Sequence, residues 1–167
     1  GRKANTYKLA AELYLRLINR SGAFGFLMPE GFAGDMGARD LRREYFQHRC
    51  VNAIIAFNKE NEIFPDATQA FIILCGGFYR VFDGYIYWPG LSKRTELINL
   101  NIGQLPKLPY EVLLRRAIET APLFPVRSAL ERQILERIFD FSSPAETDFP
   151  WSINPYGELN TTNDFEM

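Results

Sequence analysis

Histidine and cysteine are scarce in this chain of 167 residues, which has one histidine, His48, and two cysteines, Cys50 and Cys75. That excludes a zinc site built from cysteine and histidine at the usual spacings. The cysteines stand far apart, each beside an apolar run, and read as reduced core thiols of a cytosolic protein rather than as a disulfide framework. Long apolar runs are missing too. None approaches the roughly 20 residues needed to cross a bilayer, and no signal-peptide pattern opens the chain, so a soluble protein with no membrane partner is expected. Neither sign of charge is in excess, with 19 Lys and Arg against 20 Asp and Glu. Overall charge therefore gives no reason to approach nucleic acid, although a local basic patch can still do so. No P-loop, no nucleophile–histidine spacing and no paired carboxylates emerge. Gly76-Gly77 is a turn, and His48 beside Arg49 reads as a cationic helix end.

What the chain has is apolar pattern: 47% of residues are hydrophobic and 23% charged, the balance of one globular core, with or without an appendage. From Asn5 to Arg20, Tyr7, Ala10, Ala11, Tyr14, Leu15 and Ile18 fall at helical spacing, and Leu9, Leu13 and Leu17 add a second stripe. Lys8, Glu12 and Arg16 are the narrow polar line between them. The expectation is a helix covered on most sides, lying between a sheet and another layer, with Asn5 or Thr6 as its cap. "AFGFLM", residues 23–28, is a continuous apolar run stopped by Pro29 and reads as a central strand buried on both faces. After the glycine-rich "PEGFAGDMG", residues 38–49 read as a helix capped by Asp35, with Leu41 and Tyr45 inward and Arg39, Arg42 and Arg43 outward. "VNAIIAF" and "QAFIILC" are the next strands, so the first half is α/β.

The second half differs. "YRVFDGYIYW" reads as a hairpin turning at Asp83-Gly84, followed by two short helices, residues 110–121 and 128–141. The second of these carries a capping box, Ser128 with Glu131, and is expected to point Leu130, Ile134 and Ile138 inward. Beyond Ser142 the composition is that of a linker. An opening Gly1 without Met, and a last residue just past the polar "LNTTND", fit a piece excised from a longer protein.

Between the second and third strands stands "ENEIFPDATQ". Proline fixes its own backbone angle and confines the residue before it to extended conformations. Phe64 is therefore held in a stiff loop at a strand edge, either as packing or as a platform on which a flat ring stacks.

In order along the chain come Asn5-Thr6-Tyr7 opening a helix, the strand "GAFGFLMPEG", "LRRE" in a helix, the strand "AIIAF", and the "IFPDA" loop before a final strand. This series, over residues 5 to 75, resembles the second half of the catalytic domain in adenine-N6 DNA methyltransferases, of the large single-chain kind found in restriction-modification and phage-defence systems. The resemblance implies that residues 1–78 are the C-terminal half of such a domain: the late strands and helices of a class I, Rossmann-like sheet. Residues 79–141 become a hairpin and short-helix connector, and residues 142–167 a linker towards a target-recognition region. It also implies that Phe64, held by Pro65, stacks on the target adenine once that base is flipped from the duplex. The alternative for Phe64 is a plug at the end of the sheet. Pro29, Glu30 and Gly31, with Asn5, would border the cleft, since ligands in open α/β sheets collect at the carboxyl ends of strands; a plain turn is the other role open to Pro29-Glu30-Gly31. Arg39, Arg42, Arg43, Lys93 and Arg94 are candidates for the DNA backbone or, equally ordinary, a solvated face.

S-adenosylmethionine would be the cofactor of the intact enzyme, double-stranded DNA its partner and the bacterial cytoplasm its location. The family's glycine motif for that cofactor and its Asn-Pro-Pro-Tyr motif are absent from this sequence. No catalytic residue, no bound metal and no cofactor are therefore expected in the chain, and the isolated chain is predicted to be inactive. A noncatalytic DNA- or protein-binding module derived from such a half-domain is the alternative. A half-sheet with an exposed edge is also expected to self-associate.

Overall fold

The computed structural model describes residues 5–19, 21–48, 51–77, 83–116 and 123–140. The first arm of the expected hairpin (79–82), the end of the helix expected to reach residue 121 and the expected linker lie outside the described residues.

Among the described residues four strands form one mixed sheet: β1 (Ala23–Pro29), β2 (Val51–Phe57), β3 (Phe71–Gly77) and β4 (Ile86–Leu91). Their order is β1-β3-β2-β4. β1 and β2 each pair antiparallel with β3, and β4 pairs parallel with β2. Three strands thus point the same way and end at one edge, where β3 begins. Register turns that edge into a row: Pro29 opposite Phe71, Phe71 opposite Phe57, Phe57 opposite Leu91. The helices are α1 (Thr6–Leu17), α2 (Arg39–Gln47), α3 (Arg94–Ile98), α4 (Tyr110–Arg116) and α5 (Ala129–Asp140).

Because successive strand residues point to opposite faces, the sheet sorts its side chains into two cores. Met28, Ile54, Ala56, Ile72 and Leu74 join the larger one, with Ala11 of α1, Tyr45 and Phe46 of α2 and Tyr110 of α4. Ile55, Phe57, Phe71 and Leu91 form the smaller core on the other face, with Ile63, Trp88 and Leu97 packed against it. Two phenols fasten the helices: Tyr45 donates to the Ala11 carbonyl at 2.7 Å and Tyr110 to the Val51 carbonyl at 2.6 Å. Each such bond contributes about 1 kcal/mol net, and losing one partner costs more because the other stays buried.

The structure corrects several expectations. Among the described residues β1 is an edge strand, not a central one: β3 pairs with one side of it, and Ala23, Gly25 and Leu27 are exposed on the sheet face away from the larger core, Leu27 at 54%. α1 is not covered on most sides. Ala11 is its buried residue, while Leu9, Leu13 and Leu17 stand exposed because the second stripe meets no described element. Asn5 makes no side-chain capping bond; its carbonyl accepts from the N–H of Lys8 at 2.9 Å. Asp35 makes no side-chain capping bond either.

The hairpin expected to turn at Asp83-Gly84 has its first arm outside the described residues; its second arm is β4, which lies parallel to β2 and runs on to Leu91. Ile86 and Tyr87, adjacent on the strand and so on opposite faces, are both buried. Pro89 and Gly90 fall where the register shifts between the Ile55–Trp88 and Phe57–Leu91 pairs. A missing N–H costs little in such an irregularity, and Gly90 takes φ 68°, which a side chain would resist. In α5, Leu130, Ile134 and Ile138 face outward rather than inward, and Leu135 packs against the larger core instead. The Ser128 hydroxyl does accept from the Glu131 N–H at 3.1 Å, but the Glu131 carboxylate accepts from Arg127 instead of closing the box on Ser128. Among the described residues no helix is long and apolar enough to cross a membrane.

Candidate aromatic cleft at the carboxyl end of the sheet

Residues 58–70 connect β2 to β3 at the edge where the parallel strands end. One side chain shapes this loop. Asn61, 8% exposed, donates from Nδ2 to the Asn58 carbonyl at 2.8 Å, and its Oδ1 accepts from the N–H groups of Ile63 at 3.0 Å and Phe64 at 2.7 Å. A single amide thereby satisfies three backbone groups that no strand partner reaches. The Phe64 carbonyl in turn accepts from the Ala67 N–H at 3.0 Å, closing a turn over Phe64-Pro65-Asp66-Ala67. Proline occupies the second position of that turn, where its fixed φ belongs.

Phe64 is therefore held at both its N–H and its carbonyl. Its ring stands at 87° to that of Phe71 with centroids 5.1 Å apart, and Phe71 stacks on Phe57 at 4.8 Å and 10°. The loop is also tied to the end of β4. The Asn58 N–H donates to the Leu91 carbonyl at 2.9 Å, and the Asn58 side chain reaches the Gly90 carbonyl at 3.0 Å and the Ser92 hydroxyl at 2.7 Å. The Glu62 carboxylate accepts from the Arg94 N–H at 3.1 Å.

Fixed in this way, the Phe64 ring remains 43% exposed and lines a cleft of about 530 Å³. Leu27, Met28 and Pro29 of β1 make one wall, Ile63 and Pro65 flank the ring, and Asp66, Thr68 and Gln69 supply the polar groups. The size is that of an ordinary small-ligand site, and its balance of apolar walls with a few polar groups suits a flat ring carrying hydrogen-bonding edges.

Of the residues singled out from the sequence, the structure brings together Phe64, Pro65 and Pro29. Glu30 and Gly31 turn away into a 3-10 turn, Glu30–Ala33, where the Glu30 N–H donates to the Ala70 carbonyl at 3.1 Å; neither they nor Asn5 line the cleft. Arg42 is not an outward residue. It is fully buried, and its Nη1 donates to the carbonyls of Phe32 at 2.6 Å and Asp35 at 2.8 Å, charge-assisted bonds that pin the two 3-10 turns after β1. The expected phosphate contact from Arg42 is corrected on that ground. Arg39 and Arg43 share its helix, which packs on the larger core, the face of the sheet opposite Phe57 and Phe71. Arg39 is engaged with Asp40 at 3.0 Å. Lys93 and Arg94 are exposed at the start of α3, beside the Phe64 loop through Glu62.

Asn58 and Asn61 are functional residues that no sequence motif marks. What signal there is lies in two turn-forming asparagines just before the phenylalanine–proline pair, but only the fold shows which backbone groups they meet. Among the described residues no cluster of three or more His, Cys, Asp or Glu side chains is placed to hold a metal ion. No protein-family model matches the chain, and no curated protein matches it significantly.

Proposed function

We propose that this chain is the base-stacking half of the catalytic domain of an S-adenosylmethionine-dependent DNA adenine-N6 methyltransferase, from a bacterial restriction-modification or related defence protein that acts on double-stranded DNA in the cytoplasm. The observation that carries this reading is Phe64: a ring set rigidly by a proline turn and an asparagine amide, yet left exposed in a cleft large enough for a nucleobase. A base taken out of a duplex loses stacking worth a few kcal/mol, and an aromatic platform returns about 1–3 kcal/mol. With the platform already ordered, little conformational freedom remains to be lost on binding. The parallel strands β1 and β2, joined through α2 and with the cleft at their carboxyl ends, support a Rossmann-like sheet.

The cofactor does not fit the residues present. The cleft offers Asp66, Thr68 and Gln69 as its polar side chains and no glycine-rich turn against which a nucleoside could lie. The chain's own part is to receive and orient a base, and the isolated chain is expected to show no methylation of DNA. The second reading, a module that binds without catalysing, shares the same aromatic platform; an Asn-Pro-Pro-Tyr motif upstream of residue 1 in the parent protein would support the enzyme and its absence there the module.

The test is the affinity of the chain for a fluorescently labelled, adenine-containing single-stranded oligonucleotide. Phe64→Ala is expected to weaken binding roughly fivefold or more, and Phe64→Tyr to retain it. Equal affinities for wild type and Phe64→Ala would remove the basis of the proposal.

A further inference from the structure

A second cavity, of about 450 Å³, opens where the end of β4 meets α3 and the turn that follows it. Its apolar side includes Trp88, Pro89 and Leu91 from the strand. Its polar side is three amides, Asn99, Asn101 and Gln104, and no lysine or arginine lines it. Among the described residues its lining has no cation to pair with an anion. The carboxylate in its lining, Glu96, is already engaged: it accepts from the N–H groups of Lys93 and Ser92, both at 2.9 Å, and these bonds hold its carboxyl below the ordinary range. Asn101 accepts from the Gly103 N–H through Oδ1 at 3.2 Å, which leaves its amino group as the donor it can offer a ligand. What remains is an indole wall with neutral donors and acceptors around it, the complement of a flat neutral ring with a hydrogen-bonding edge.

Position selects among such rings. Leu91 stands in the same row as Phe57, Phe71 and Pro29, so both cavities open at the same end of the sheet. Three strand spacings separate β1 from β4, about 14 Å at the usual interstrand distance. Lys93 and Arg94, both exposed, open α3 next to both elements: the Arg94 N–H is bound to Glu62 of the Phe64 loop and the Lys93 N–H to Glu96 of the second cavity. Two exposed cations in that position suit the phosphates joining two bases of one strand.

We propose that this second cavity is another nucleobase site, with Trp88 as its stacking surface and the amides of Asn99, Asn101 and Gln104 reading the base edge, so that a short single-stranded segment runs from Phe64 across Lys93 and Arg94 to Trp88. The proposal rests on the reading of Phe64 as a base platform. Since the chain has two tryptophans, Trp151→Phe makes Trp88 the sole reporter. Titrating that variant with a four-nucleotide DNA strand should quench its fluorescence saturably, and a strand of the same length without bases should not. Trp88→Ala should weaken binding roughly fivefold or more. Asn99→Leu, on an exposed turn, should weaken binding with the circular dichroism unchanged, which separates loss of the site from loss of the fold. If Phe64→Ala weakens binding while Trp88 fluorescence stays constant, the second site is refuted and the first stands. If neither responds, both fall. Equal quenching by the baseless strand or by free ribose would refute a base as the ligand.

Discussion

Asn61 shows how one side chain can decide what a neighbour does. Its amide takes the place of three backbone partners, and two of those bonds end at Ile63 and Phe64. Asn61→Ala would leave these groups unsatisfied in a partly buried loop, each such loss costing about 1–3 kcal/mol where water cannot replace the partner. The urea midpoint of Asn61→Ala should fall by an amount equivalent to about 2 kcal/mol, and that of Asn61→Asp, which keeps the acceptor, by less; equal midpoints for all three proteins would contradict this role. The residue scale is also where the sequence misled most. Arg42 sits between two other arginines at positions that a helical pattern assigns to solvent, yet its partners are carbonyls seven and ten residues upstream. No periodicity records such contacts. Phe64, by contrast, was legible because proline acts on its immediate neighbour.

At the scale of elements, the strands were readable from their apolar runs, and α2 from its spacing. What could not be read was which faces find a partner. Continuous apolar character made β1 a buried central strand and α1 an enclosed helix, but burial requires a second surface, and the described residues supply none for Leu27 or for the Leu9–Leu13–Leu17 stripe. Similarly, the pairing of β4 with β2 spans some thirty residues, and no local signal in the sequence records it. The edge of β1, "AFGFLMP", which no described strand covers, has no charge to discourage pairing with another strand. Sedimentation of the chain should therefore show concentration-dependent self-association. A Cβ at Gly25 meets nothing within 4 Å, so Gly25→Lys should fold and stay monomeric. A wild-type chain that remains monomeric at all concentrations would count against an active edge.

For the molecule as a whole, two buried phenols tie stability to alkaline pH. Burial raises Tyr85, and burial followed by the charge of Glu30 pushes Tyr87 up to about 12, from an ordinary value of 10.0. The folded chain thus keeps protons that the unfolded chain releases. Stability should be intact below about pH 10 and decline as pH rises towards 12, by up to about 3 kcal/mol for Tyr87. Thermal midpoints should drop across that window, and less so in Tyr87→Phe; tyrosinate forming from every tyrosine without unfolding would contradict this. The α/β class and the loop at a strand edge were visible in the sequence at this scale. The insertion of β3 between β1 and β2 was not, because long-range pairing decides it.

The most direct measurement of the central claim is the NMR spectrum of the Phe64 ring as an adenine-containing oligonucleotide is added to the whole chain. Stacking predicts that the Phe64 ring resonances move with saturation while those of the buried Tyr110 ring stay in place. Phe64 resonances that do not move at concentrations where the oligonucleotide is bound would contradict it.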